Sequence, residues 1–148
     1  VQSLAWSEVL PATTSRVRIS IFFTKMIDAN MLDEIKIASP DGVMFSDPNS
    51  AAVQPDKFPL LAQQPFTAAG NMLTIGVDSS QFFEAGIYEI FFEVKNPSKR
   101  LPNDNTWMTA LLFDQQLLFT HVQPGYAFGE PSPFVIGMPF GTEADAFP

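Results

Sequence analysis

Three observations predict an all-β chain folded as an antiparallel sandwich, immunoglobulin-like or jelly-roll in type, with about eight strands. Apolar residues recur at every second position in several short runs. Clusters of Pro, Gly, Asn and Asp punctuate those runs. No βαβ alternation and no sustained helical period is present. The two sandwich types are not separated at this level, and the Cys–Trp–Cys signature of antibody domains is missing because the chain has no Cys.

The elements follow in order. Leu4 to Leu10 is a candidate first strand. Arg16 to Phe23 alternates cleanly, with Val17, Ile19, Ile21 and Phe23 on one face and Arg16, Arg18 and Ser20 on the other. Around Leu32 to Ala38, Met31, Ile35 and Ala38 fit a short helix, whereas Ile35 and Ile37, flanked by Glu34 and Lys36, fit a strand, which is the preferred reading. Pro40-Asp41-Gly42 then turns the chain into Val43-Met44-Phe45. Residues 47–71 carry Pro48, Pro55, Pro59 and Pro65 and predict a long connection with at most an edge strand around Phe58 to Leu61. Met72 to Asp78 alternates again. Gly86 to Lys95 is the clearest strand, with Tyr88, Ile90, Phe92 and Val94 inward. Trp107 to Phe113 is apolar on both faces, the pattern of a strand covered on both sides. Asp114-Gln115-Gln116 is a turn, and Leu117 to Val122 and Tyr126 to Phe128 close the set.

Domain organisation follows from these elements: residues 1–128 form the sandwich and 129–148 an extended arm or a linker. The arm has no Lys or Arg and spaces Phe134, Phe140 and Phe147 among Pro131, Pro133, Pro139 and Pro148. Two destinations for it stand open, its own domain and a neighbour.

The 148 residues suit one core. With 46% hydrophobic residues, whole-chain disorder is excluded. A net charge of −8 argues against nucleic acid as a partner. Without Cys, disulfides, thiolate metal sites and Cys nucleophiles are excluded. No apolar run approaches the roughly 18 residues of a membrane span. The chain opens at Val1 with no visible signal peptide and reads as a mature product or a piece of a longer one.

Three stretches together resemble a known family. Thr13-Thr14-Ser15 leads into an alternating strand. Asp33-Glu34-Ile35-Lys36-Ile37 runs into Pro40-Asp41-Gly42. Asn96-Pro97 is followed by Asn105-Thr106-Trp107, then His121-Val122 and Gly125-Tyr126. Their order resembles β-sandwich repeats arranged in tandem in very large secreted or surface proteins of protists, particularly algae. The resemblance covers roughly residues 10–128 and departs from many such repeats in lacking Cys. It implies a structural, extracellular repeat domain and carries over no catalytic residue.

Candidate chemistry is sparse. His121 is the sole histidine, and no G-x-S-x-G elbow accompanies it, so no catalytic triad is expected. Asn103-Asp104-Asn105, with Asp41, Asp47 or Asp56, could offer oxygens to Ca²⁺ but reads first as turn chemistry. Glu89 and Glu93 lie on the outer face of one strand, and no cleft is predicted over them. Expected catalytic, cofactor and metal residues are therefore none. Trp6, Trp107 and Tyr126 compose a possible sugar-stacking platform, set against core packing. Ile87 and Phe91 face outward on a strand whose partners face inward, and with Phe134, Phe140 and Phe147 they form a candidate interface. The leading expectation is a non-enzymatic structural domain of an extracellular or surface assembly, joined to other copies or neighbouring domains through apolar faces and the arm. The alternative is a carbohydrate-binding module, with polysaccharide as its partner.

Overall fold

The computed structural model describes residues 3–7, 12–98 and 105–125. Ten strands run through them: β1 Ser3–Trp6, β2 Thr14–Phe23, β3 Glu34–Ala38, β4 Met44–Phe45, β5 Ala52–Gln54, β6 Phe66–Ala69, β7 Met72–Gly76, β8 Gly86–Lys95, β9 Thr106–Phe113 and β10 Gln116–Pro124. Among the described residues the one helical element is a 3-10 turn at Pro48–Ser50, capped by the Asp47 carboxylate, which accepts the Asn49 N–H at 2.9 Å.

The strands form two five-stranded antiparallel sheets. The first runs β1-β2-β8, with β4 and β5 side by side along the far edge of β8. The second runs β10-β9-β3-β7-β6. First-with-second and second-with-eighth pairing in one sheet, against the two last strands beside the third in the other, is the immunoglobulin arrangement and not a jelly roll. One departure is visible. The β6–β7 hairpin extends the sheet beyond β3, as the extra strands of variable domains do, but it follows β4 and β5 in the chain instead of preceding them.

Alternation places the core. In β2, Val17, Ile19 and Ile21 point between the sheets and are almost fully buried. In β8, Tyr88, Ile90, Phe92 and Val94 answer them, and from the second sheet come Ile35, Ile37, Leu73, Ile75 and Trp107. Each of these positions is two residues from the next on its strand, which is why the faces separate. Aromatic rings close the core at both ends. Phe23, Phe58, Phe83 and Tyr88 meet edge-on or tilted at 5.3–5.5 Å at one end. Phe45, Phe92 and Trp107 meet at 5.2–6.4 Å at the other.

Several expectations are corrected. Residues 47–71 are not without strands: β5 and β6 lie within them, while Phe58 to Leu61 contributes only a single bridge, Leu60 to Val77. The turn at Pro40-Asp41-Gly42, with the Val43 N–H on the Pro40 carbonyl at 3.0 Å, carries the chain from one sheet to the other, since β3 lies in the second and β4 pairs with β8 in the first. The outer face of β9 is not sealed as its sequence suggested: Met108 and Leu112 are half-buried. The first strand spans Ser3–Trp6; residues 8–10 and the segment Tyr126 to Phe128 lie outside the described residues.

Candidate interaction surface

Strand direction sorts the loops to two poles. β2, β7 and β9 end, and β3, β8 and β10 begin, at the same pole, where residues 24–33, 77–85 and the Asp114-Gln115 turn gather. Here Ile27 bridges Phe83, with both N–H···O bonds at 2.9 Å. Asp33 ties three segments at this pole. Its carboxylate accepts the Asp114 N–H at 3.1 Å, its carbonyl accepts Val77 N–H at 2.9 Å, and its own N–H donates to Leu112 at 3.0 Å.

Among the described residues, the exposed large apolar side chains are Phe22, Met26, Met31, Met44, Leu61, Phe82, Ile87, Leu117, Leu118, Phe119 and Val122. All but Met44 and Val122 belong to this pole. The opposite pole is closed by polar contacts: Asn96 N–H to the Thr13 carbonyl at 2.8 Å, Asn71 Nδ2 to the Ser39 carbonyl at 2.9 Å, and Gly125 N–H to the Asn105 carbonyl at 2.8 Å. The described chain enters β1 from the apolar side, since Ser3 lies opposite Ser20, and leaves β10 at the polar pole.

The apolar surface has two parts. On the outer face of the first sheet, Phe22 and Ile87 are direct cross-strand neighbours, and Ile87 is 60% exposed. Phe91 shares that face but is half-buried. Between the Phe22/Ile87 pair and Phe91, the Arg18 guanidinium lies 3.6 Å from the Glu89 carboxylate. Phe82 and Met26, both more than half exposed, continue the surface over the pole. The loop carrying Phe82 is braced by Asp78, which accepts Ser80 Oγ–H at 2.6 Å, Ser80 N–H at 3.0 Å and Gln81 Nε2 at 3.1 Å. Those bonds, the Ser80 hydroxyl foremost, hold the Asp78 carboxyl below the ordinary aspartate value. Nearby, the Tyr88 hydroxyl donates to the Glu84 carbonyl at 2.8 Å, and burial pushes its pKa up.

The second part is the flank of β10, where Leu117, Leu118, Phe119 and Val122 are each about half exposed. Phe119 and Leu111, directly paired, border an apolar groove of about 360 Å³ whose other wall is residues 21–27.

The other candidates are placed as follows. Trp107 is 1% exposed against Phe45 and Phe92 and has no face to offer a sugar ring. Trp6 is half-buried and packs on the core. Tyr126 and Phe134, Phe140 and Phe147 lie outside the described residues, as do Asn103 and Asp104. His121 is half-buried on β10, opposite Thr109. Among the described residues no group of three His, Asp or Glu is placed to hold a metal ion. Sequence reasoning missed Phe22, Met26 and Phe82. Phe22 was legible as the apolar member ending the Arg16, Arg18, Ser20 face; Met26 and Phe82 sit in loops, where alternation gives no signal.

No protein-family model and no curated protein sequence matches the chain. Several solved structures are similar to it, three of them as follows. A protein from Corynebacterium diphtheriae described as membrane anchored is 12% identical with a TM-score of 0.56, over 93% of this chain and 36% of that one. Domains D2 and D3 of the major pilin SpaD, also from Corynebacterium diphtheriae, give 12% identity and a TM-score of 0.47, over 82% and 50% of the two chains. A collagen-binding domain from a Staphylococcus aureus adhesin gives 13% and 0.42, over 82% and 96%. The first likeness shows the fold. It is an immunoglobulin-like β-sandwich. At such identities that is all it shows, and the two weaker scores add nothing to it. The chain spans about a third of the length of the first neighbour. All three neighbours are bacterial, so the protist origin implied by the sequence resemblance is not supported by these comparisons.

Proposed function

We propose that this chain is a non-enzymatic structural domain of a cell-surface or extracellular assembly, associating end to end with neighbouring copies or domains through its apolar pole. The gathering of exposed apolar side chains at one pole carries this reading, because monomers seldom display a large contiguous apolar patch that binds nothing. The placement of the chain supports it too. Within the described residues, Ser3 lies toward the apolar pole and Gly125 at the polar one, in keeping with a contact between opposite poles, a heterologous arrangement that propagates without closing. The neighbour described as membrane anchored is in keeping with a surface location. The arm, residues 129–148, is the second contact the sequence suggests.

Light scattering over a range of concentrations tests the reading. The full chain should show a mass rising with concentration, and the double variant Phe22→Ser/Ile87→Ser should remain monomeric with an unchanged circular dichroism spectrum. A full chain that stays monomeric throughout would remove the reading.

A further inference from the structure

The groove beside β10 has a floor of Ile21, Phe23 and Leu111 and an exposed lip of Met26 and Phe119. Ile21 and Phe23 are buried on the inward face of β2, and Leu111 packs on the core, so the sandwich itself fixes the floor. Lys25 is the one charged residue lining the groove. It is exposed, and among the described residues no carboxylate pairs with it. In a chain of net charge −8, an unpaired cation beside an apolar groove is a local exception.

We propose that this groove binds a fatty acid, its acyl chain on the apolar floor and its carboxylate on the Lys25 ammonium. Three observations select that occupant. The first is size. A groove of about 360 Å³ takes a single chain of about a dozen carbons, at about 30 Å³ each, the share of a water molecule in the liquid. The second is charge. Small-molecule sites are mostly apolar, with a few polar groups that fix orientation, and here the orienting group is a cation, which selects an anionic head. The third is the state of the neighbouring edge, which disfavours an extended peptide. Gly125 N–H bonds the Asn105 carbonyl, so the odd residues of β10 face β9 and Thr120, Val122 and Pro124 face outward. Pro124 has no N–H, and the register slips between Leu117 and Phe119, so Thr120 and Val122 alone keep a regular outward donor. A peptide strand would find two rungs there. An acyl chain needs none, because it has no backbone groups to satisfy. The inference goes beyond the proposed association at the pole and stands without it.

Isothermal titration of the full chain with the even-numbered carboxylates from hexanoate to tetradecanoate tests it. Affinity should rise at least about threefold with each added pair of methylenes and level off near a dozen carbons, where the groove is full. With dodecanoate, Lys25→Met should weaken binding about three- to fivefold. Added salt should weaken binding to the natural chain and leave the variant unchanged. Phe119→Ser should weaken binding at least about tenfold, with an unchanged circular dichroism spectrum. A flat titration up to about 1 mM dodecanoate would overturn the proposal. So would an affinity that rises with chain length yet ignores both Lys25→Met and salt, the behaviour of adsorption to any apolar surface. A capped apolar peptide ending in glutamate that binds more tightly than dodecanoate would overturn the choice of ligand in favour of a protein partner.

Discussion

Trp107 shows how one residue settles between two roles. An indole could stack on a sugar or fill a core, and in the sequence Trp107 stands in the most apolar strand. In the fold it is 1% exposed, held by Phe45 at 6.4 Å and Phe92 at 5.8 Å. Replacing it with alanine should cost about 3–5 kcal/mol in denaturant unfolding. Gln115 is a case of local strain. Asp114 and Gln115 form the two-residue β9–β10 turn with φ of 50° and 67°, the left-handed pair of a type I′ turn, where glycine is the favoured second residue. Gln115→Gly should stabilise by about 1 kcal/mol, seen as a higher melting temperature. At Asp78 the folded carboxyl titrates below its unfolded value, so its contribution to stability is present above the unfolded value and lost as pH falls through the folded one. The melting advantage of the natural chain over Asp78→Asn should therefore shrink below pH 3.8.

At the scale of elements, most strands were readable, those with a strict period of two most clearly, and β5 and β6 were not. Arg16 to Phe23 and Gly86 to Lys95 pair residue for residue as β2 and β8, and their inward faces are those the alternation assigns. The short strands β5 and β6 escaped because each is only three or four residues, below the length at which alternation rises above chance, and prolines surround both. Which strand pairs with which was also beyond the sequence: β4 pairs in the sheet opposite to β3, although a tight turn is all that separates them. The candidate surface divides the same way. Ile87 and Phe91 could be placed outward from alternation alone, but Phe91 is half-covered, and nothing in its own strand says so. A glycine matters at the exit of β10. A Cβ on Gly125 would stand 2.6 Å from Asn105 Oδ1 and 2.9 Å from the Trp107 ring, so Gly125→Ala should lower stability, by an amount that thermal melting of the variant measures.

The whole molecule is acidic, with net charge −8 and pI near 4.4, while one pole is apolar. Mutual repulsion opposes association at neutral pH and fades toward the isoelectric point. The scattering mass should rise as pH falls from 7 toward 4.4, and added salt at pH 7 should act in the same direction by screening. A mass that falls on either change would show that charge pairing, and not the apolar pole, drives assembly.

The placement of Ser3 and Gly125 toward opposite poles has a mechanical consequence. Tension applied between Ser3 and Gly125 runs parallel to β1 and β10, which lie antiparallel to β2 and β9. Such a load slides each outer strand along its neighbour, so the backbone hydrogen bonds of that ladder resist together instead of opening one at a time. The four-residue ladder of β1 is the shorter of the two and yields first. Under stretching the domain should release its first strand well before its second sheet comes apart.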